Sequence, residues 1–233
     1  MTHIMAMTKR MVPAIATRGR LVAMTIVAIF GIAVALLLRQ AEATTDDLTV
    51  FVAVFGFTIF VPLVALVIST ATLGSLVEEQ TLVYFWLRPF GRWKIAAAAI
   101  AAGLIVLVPL ILVPMGVLGM LVGGDAVVGA LVGSGVGLVA YLFVFTMLGL
   151  FTQRALAWGL LYVLVWEGLI AGFSTGAGRL AIRSYANAAL TRLSGVEVAP
   201  DPPSSLAVAL VTAGVAAVCF VITTWRLNSM TVD

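Results

Sequence analysis

Six long apolar runs constrain the fold of this chain more than any other feature of its sequence. They cover residues 21–38, 49–71, 95–121, 127–151, 155–173 and 205–225. An α-helix rising 1.5 Å per residue crosses the hydrocarbon core of a bilayer in about 20 residues, within a range of about 17 to 25. Since 63% of the 233 residues are hydrophobic and only 10% are charged, a soluble globular domain is excluded. The runs predict an all-α, polytopic membrane protein with six transmembrane helices.

The runs leave little chain for a second domain. We assign residues 1–20 to an interfacial N-terminal segment, residues 21–226 to the transmembrane domain and residues 227–233 to a tail. The sequence Ala41-Glu42-Ala43 after the first run resembles a signal-peptidase site. That run is longer than the apolar region of an ordinary signal peptide, and five more runs follow, so we expect it to remain as a span.

The distribution of cations predicts the topology. Nine of the 13 Lys and Arg residues precede run one, lie between runs two and three or four and five, or follow run six. Short cytoplasmic loops carry an excess of Lys and Arg, so we expect both termini in the cytoplasm and a multi-pass protein of the cytoplasmic (inner) membrane. Because the basic residues are dispersed along membrane boundaries, the net charge of +3 indicates topology and no nucleic-acid partner.

A polar segment, residues 75–93, interrupts the apolar pattern between the second and third runs. It carries the carboxylates Glu78 and Glu79 near its start, several aromatic rings, and a corner formed by Pro89 and Gly91. This composition favours a short helix at a membrane surface that meets a soluble partner. The alternative is a solvated loop with aromatic anchors.

The order of residues in this segment is similar to that of a known family. An acidic pair, then Thr81-Leu82, then Arg88-Pro89 and Arg92 before a long third span resemble the first cytoplasmic loop of ABC-2 type permeases, the membrane subunits of type V ABC transporters. The family's common form has Gly before the Thr, where this chain has Gln80. Trp166-Glu167-Gly168 in the fifth run and the polar segment between runs five and six are also similar to this family.

The resemblance implies a coupling helix through which a separate ABC ATPase subunit drives the membrane subunit. The contact residues would be Glu78, Glu79, Thr81, Leu82, Arg88 and Pro89. ATP and Mg²⁺ would bind to the partner, because this chain has no Gly-x-x-x-x-Gly-Lys-Ser/Thr sequence. Six spans form half a transporter, so the resemblance implies a homodimer or a pair with a paralogous permease. It also implies that the complex is an exporter.

The N-terminal segment is expected to lie beside the coupling helix. Its cations are Lys9, Arg10, Arg18 and Arg20. Together with Met11, Val12 and Ile15, they favour an interfacial helix on an anionic leaflet of the bilayer. The alternative is a positively charged tail that only sets the topology.

Glu167 and two arginines are the candidates for a transport pathway or gate. An isolated carboxylate inside a span is costly, so Glu167 needs a partner or a water-filled cavity. A structural ion pair with Arg39 or Arg179 is the alternative. Residues 178–193 predict an amphipathic external helix with polar and apolar stripes. The polar stripe contains Arg179, Arg183, Asn187 and Thr191, and the apolar stripe contains Ile182, Ala186, Ala189 and Leu193.

Small residues and prolines predict how the spans pack. Gly129, Gly133 and Gly137 recur every four residues in the fourth run, and a second series, Gly168, Gly172 and Gly176, follows in the fifth. Each series forms a groove for another helix of this chain or of a second subunit. We also expect kinks at Pro62, Pro109 and Pro114.

Enzyme classes fit the sequence poorly. His3 is the one histidine and Cys219 the one cysteine, so a Ser-His arrangement and a His or Cys metal site lack their residues. The alternatives to an ABC permease are a secondary transporter or channel that uses Glu167, and a membrane scaffold without transport activity.

Overall fold

The computed structural model describes residues 2–78, 91–171, 178–198 and 202–229, and these residues form helices without any strand. The α-helices are α1 Thr2–Ile15, α2 Arg18–Gln40, α3 Thr45–Phe51, α4 Val61–Glu78, α5 Trp93–Val122, α6 Ala126–Phe151, α7 Ala155–Leu161, α8 Ile182–Ser194 and α9 Ser205–Ser229. Two π-helices are inserted among them, π1 Val52–Phe60 between α3 and α4, and π2 Tyr162–Ile170 after α7.

Five helices of the described chain are long and apolar enough to cross a membrane. They are Arg18–Gln40, Thr45–Gly74, Trp93–Val122, Ala126–Phe151 and Ser205–Ser229. Each coincides with one of the predicted apolar runs, so the all-helical, multi-pass architecture is confirmed. The fifth predicted run, 155–173, forms the shorter apolar helix Ala155–Ile170. Residues 172 and 173 of that run lie outside the described residues, so the sixth span stays a prediction.

Local signals fix where several helices begin and end. Thr44 caps the start of α3, because its side chain accepts from the Asp47 amide while the Asp47 carboxylate accepts from the Thr44 amide. Gly123 ends α5 with a φ of 97°, a conformation that residues with a Cβ rarely adopt. The helix α5 is continuous through Pro109 and Pro114.

Helix α6 lies at the centre of the bundle and contacts α4, α5, α8 and α9. Small residues permit the closest of these approaches. A Cβ added to Gly149 would lie 2.5 Å from the carbonyl oxygen of Thr70 in α4. The backbones of α4 and α6 therefore touch directly, as in other membrane helix pairs that meet at small residues.

The N-terminal helix α1 packs on the bundle at the end where α5 begins. Its Met7, Met11 and Ile15 side chains are buried, and the Thr8 hydroxyl donates to the Ala98 carbonyl in α5 over 3.4 Å. The apolar face of α1 is therefore covered by other helices of the protein as well as by any bilayer. Lys9 lies on the opposite, exposed face.

Helix α8 occupies the glycine groove of α6. A Cβ added to Gly133 would lie 2.6 Å from the Ala186 carbonyl oxygen, and one added to Gly129 would lie 3.0 Å from a Leu190 methyl. The two helices are therefore antiparallel, and α8 begins inside the bundle and ends near the start of α6. Of the two packing alternatives, the Gly129 series serves packing within this chain.

The apolar stripe predicted for this helix is largely confirmed. Ile182, Ala186 and Ala189 are buried, as expected, whereas Leu193 is 38% exposed. The stripe shifts because the groove of α6 also receives Leu190. The helix begins at Ile182, later than the predicted start at residue 178.

The second glycine series is described only at Gly168. Its nearest neighbour is the Val163 carbonyl of the same helix, at 3.5 Å from an added Cβ. Gly172 and Gly176 lie outside the described residues, and the expectation of a second groove therefore stays a prediction.

We expect Gly133→Ala to destabilise the protein by about 1 to 3 kcal/mol, because the added methyl overlaps the Ala186 carbonyl and the Phe57 ring, at 2.6 and 2.7 Å. The matched control is Gly135→Ala in the same helix, where an added Cβ has nothing within 4 Å. Thermal unfolding in detergent measures the difference. Equal melting temperatures for the two variants would contradict the assigned packing of α8.

Candidate functional site

A fully buried carboxylate, that of Glu167 in π2, is the centre of the candidate site. Its exposed fraction is 0%. It accepts a hydrogen bond from the Tyr141 hydroxyl of α6 and one from the Tyr162 hydroxyl, the latter over 3.0 Å. The backbone amide of Ile182, at the start of α8, donates a third over 3.0 Å. The carboxylate therefore joins three separate segments.

The π-helical geometry brings Tyr162 and Glu167 to one side of the same helix. Five residues correspond to about 500° in an ordinary α-helix of 3.6 residues per turn, which leaves the two side chains about 140° apart. A π-helix has a wider turn with i to i+5 hydrogen bonds, so residues five apart come into approximate register. The tyrosine hydroxyl can then reach the carboxylate of its own helix.

Aromatic rings enclose the polar groups of the site. Tyr141 stacks on Phe145 with ring centroids 5.5 Å apart, and Phe145 meets the edge of Tyr162 at 6.4 Å. Water is replaced by apolar surface, so a carboxylate here is tolerated only because hydrogen bonds satisfy it. The hydroxyls of the two tyrosines are likewise satisfied by the carboxylate.

Glu167 also completes the start of α8. The first backbone amides of a helix have no partner inside it, and Ala181 at the N-cap of α8 offers no side-chain hydrogen bond. The Glu167 carboxylate supplies the missing acceptor from another segment of the chain. A negative group at this position is also favoured by the helix dipole.

The predicted arginines occupy different places around this cluster. Arg183 follows Ile182 in α8, and its guanidinium donates to the Thr58 hydroxyl of π1 over 3.5 Å. The carbonyl of Arg179 accepts from the Tyr185 hydroxyl over 2.7 Å. Arg39 donates to the Leu121 carbonyl and so joins the ends of α2 and α5. The described hydrogen bonds of Glu167 come from tyrosines and a backbone amide.

Sequence reasoning did not identify Tyr141, Tyr162 or the Ile182 amide. Tyr141 lies 26 residues from Glu167 and the Ile182 amide lies 15 residues away, so only the tertiary fold brings these groups together. One sequence signal was present. Two tyrosines lie in apolar runs, and a buried tyrosine hydroxyl usually has a hydrogen-bond partner.

The residues predicted to contact an ATPase lie almost entirely outside the described chain. Glu79, Thr81, Leu82, Arg88 and Pro89 belong to the segment 79–90, which the structure does not describe. Glu78 is the last residue of α4.

The N-terminal cations lie around α1 and the start of α2. Lys9, Arg10 and Arg18 are exposed. Arg20 is half-buried, and its guanidinium donates to the Ile15 carbonyl at the end of α1 over 3.5 Å. The first three side chains are therefore free to meet a phosphate group or an acidic surface.

Within the described ranges, no group of three or more His, Cys, Asp or Glu side chains is placed to hold a metal ion. Neither a protein-family model nor a curated protein matches the chain.

Replacing Glu167 tests the cluster. Glu167→Ala leaves two hydroxyls and one amide without an acceptor in a buried place, so we expect a loss of about 3 kcal/mol or more in the free energy of unfolding. Glu167→Gln retains one acceptor oxygen and should lose less. Thermal unfolding in detergent provides the measurement. The same measurement on Tyr141→Phe and Tyr162→Phe tests the two tyrosine hydroxyls that donate to Glu167. A Glu167→Ala protein as stable as wild type would show that the carboxylate does not hold these segments.

Proposed function

We propose that this chain is the permease subunit of an ABC transporter, an exporter in which a separate ATPase subunit drives substrate across the membrane. The proposal begins from the resemblance of residues 75–93 and of the whole chain to ABC-2 type permeases. One structural observation carries it further, namely the face formed where α1, the start of α5 and the end of α9 meet. We call this the basic face.

The basic face is assembled by specific contacts. Helix α1 packs on α5 through its buried methionines, and the Thr8 hydroxyl, which donates to the Ile4 carbonyl of its own helix over 2.9 Å, also lies 3.4 Å from the Ala98 carbonyl of α5. The Arg92 guanidinium, at the start of α5, donates to the Leu227 and Asn228 carbonyls at the end of α9 over 2.5 and 2.7 Å. The last described residues of α4 and the first of α5 flank the segment 79–90. A partner docked to that segment would therefore find α1 and α9 beside it.

Charge supports the assignment of the basic face to the cytoplasm. Its exposed cations include Lys9 and Arg10, whereas Asp46, Asp47 and Asp125 lie at the opposite end of the helices. This asymmetry is the one that the positive-inside rule describes. In the proposed orientation both termini and the ATPase are cytoplasmic, and the membrane is the inner membrane.

The fifth crossing of the proposed six would be built from two pieces. The first piece is α7 with π2, which starts beside the end of α6 and contains Glu167 near its own end. The second piece is α8, which begins at the level of Glu167 and continues along the Gly129 and Gly133 groove. Tyr141 lies 15 residues into α6, about 22 Å from its start at 1.5 Å per residue. The short length of Ala155–Ile170 is thus compatible with six crossings.

In the proposed mechanism, two such chains or this chain and a paralogous one form the translocation unit with two ATPases. ATP and Mg²⁺ bind to the ATPases, and their closure displaces the membrane helices at the basic face. Only 22% of the apolar stretch of α2 and 17% of that of α9 are buried within one chain. Both helices therefore retain apolar surface for lipid or for a second permease chain.

A secondary transporter that uses Glu167 is less well supported. Such a transporter needs its carboxylate to meet an ion or proton from an aqueous path. Glu167 is fully buried, and two hydroxyls and an amide already occupy its oxygens.

The test is co-purification with the ABC ATPase encoded nearest to this chain, followed by measurement of ATP hydrolysis in lipid with and without the permease. We expect a stoichiometric complex and permease-dependent hydrolysis. Glu79→Arg should weaken the complex by roughly tenfold or more, since it reverses a charge in the proposed contact. Glu197→Arg is the matched control, because it makes the same change on an exposed residue at the opposite end. Equal binding by both variants would refute the docking assignment, and the absence of any ATPase partner would refute the function.

A further inference from the structure

The side chain of Arg92 joins the start of α5 to the end of α9. The backbone of Arg92 is part of the first turn of α5, because its carbonyl accepts from the amides of Ile95 and Ala96 over 3.0 and 3.4 Å. The side chain therefore moves with α5. It extends across 135 residues of sequence to the Leu227 carbonyl and to the neighbouring Asn228 carbonyl.

Both carbonyls lie in the last described turn of α9. The last four carbonyls of an α-helix have no amide partner within the helix, so a donor from another segment stabilises such an end. A cation at this end also interacts favourably with the helix dipole. Arg92 thus serves as the C-terminal cap of a helix to which it does not belong.

Packing on α6 also positions α9, because Phe220 of α9 meets the edge of the Phe143 ring of α6 with ring centroids 6.5 Å apart. Only 17% of the most apolar stretch of α9 is buried in the bundle, so each polar contact at its end adds to a small packed surface. Near the same end, the Arg226 guanidinium lies over the Phe151 ring at 5.5 Å from its centroid, which joins α9 to the end of α6. An exposed cation–π contact of this kind is weaker than a charged donor shared by two carbonyls.

We propose that Arg92 is a positioning residue that makes the cytoplasmic end of α9 follow the start of α5. The consequence for transport rests on the proposed function. When a partner ATPase displaces the start of α5, the guanidinium passes the displacement to α9, so that two membrane helices respond to one docking event. Without Arg92 this direct hydrogen-bonded link between α5 and α9 is lost.

The first measurement needs no ATPase. Two cysteines replace Ile105 of α5 and Val221 of α9, which are both exposed, in a protein whose Cys219 is changed to Ser. Spin labels on them report the distance between the two helices in lipid nanodiscs. With Arg92 the distance distribution should be narrow. In Arg92→Ala it should broaden or gain a second population, and Arg92→Lys should restore part of the narrow one.

The matched control is Lys94→Ala. It removes a cation two residues away, whose ammonium lies over the Trp93 ring at 5.8 Å from the centroid. We expect this variant to keep the narrow distribution. Identical distributions for Arg92→Ala and wild type would overturn the proposal, as would equal broadening in Lys94→Ala. Size-exclusion profiles identify any variant that fails to fold. If Arg92→Ala fails, Arg92→Lys replaces it as the test, and its distance distribution should be broader than that of the wild type.

A second measurement separates this proposal from the proposed function. In complexes with the ATPase, Arg92→Ala should reduce permease-dependent hydrolysis by roughly fivefold or more, the low end of the range typical of coupled sites, without loss of the complex. If wild type stimulates no ATPase, the proposed function fails, and the spin-label distances still decide whether Arg92 holds α9. If the complex forms and hydrolysis is unchanged in Arg92→Ala, the role of Arg92 in coupling is refuted while the function stands.

Discussion

The buried carboxylate of Glu167 is the interaction on which the arrangement of the helices depends most. Placed away from water, it requires donors, and the donors come from α6, from its own π-helix and from the first amide of α8. Satisfying one group therefore fixes three segments at once. The glycine groove of α6 acts in the same direction, because it admits the backbone of α8 where any larger residue would exclude it. The result is a short helix whose start is held inside the bundle and whose length packs along α6.

Arginines satisfy backbone carbonyls at both ends of the bundle. At the end near Asp125, the Arg39 guanidinium reaches the Leu121 carbonyl in the last turn of α5. At the basic face, Arg20 reaches the last turn of α1 and Arg92 reaches that of α9. Cations and helix C-termini attract each other. The Lys and Arg residues clustered at the basic face therefore match the positive-inside pattern and also stabilise the ends of helices. In the proposed transporter, this is the end that meets the ATPase.

Much of the fold was predictable because the bilayer imposes a simple rule on sequence. A long apolar run must form a helix that satisfies its own backbone, so the runs at 21–38 and 95–121 agree with α2 and α5 to within a few residues. The fifth run was less predictable in its detail. Its described part forms α7 and then π2, and Glu167 of π2 accepts hydrogen bonds from α6, from its own helix and from the start of α8. Hydropathy contains no information about such partners.

The sequence by itself determined the helical class, the positions of the long helices and the end of the bundle at which cations gather, since all three follow from the cost of exposing polar groups to hydrocarbon. It also singled out Glu167, because an intramembrane carboxylate is conspicuous. Only the tertiary structure decided that Tyr141, Tyr162 and the Ile182 amide satisfy it, that α8 enters the groove of Gly129 and Gly133, and that Arg92 caps α9. These contacts join residues 5 to 135 positions apart. Their geometry depends on helix packing, which no local pattern of the sequence specifies.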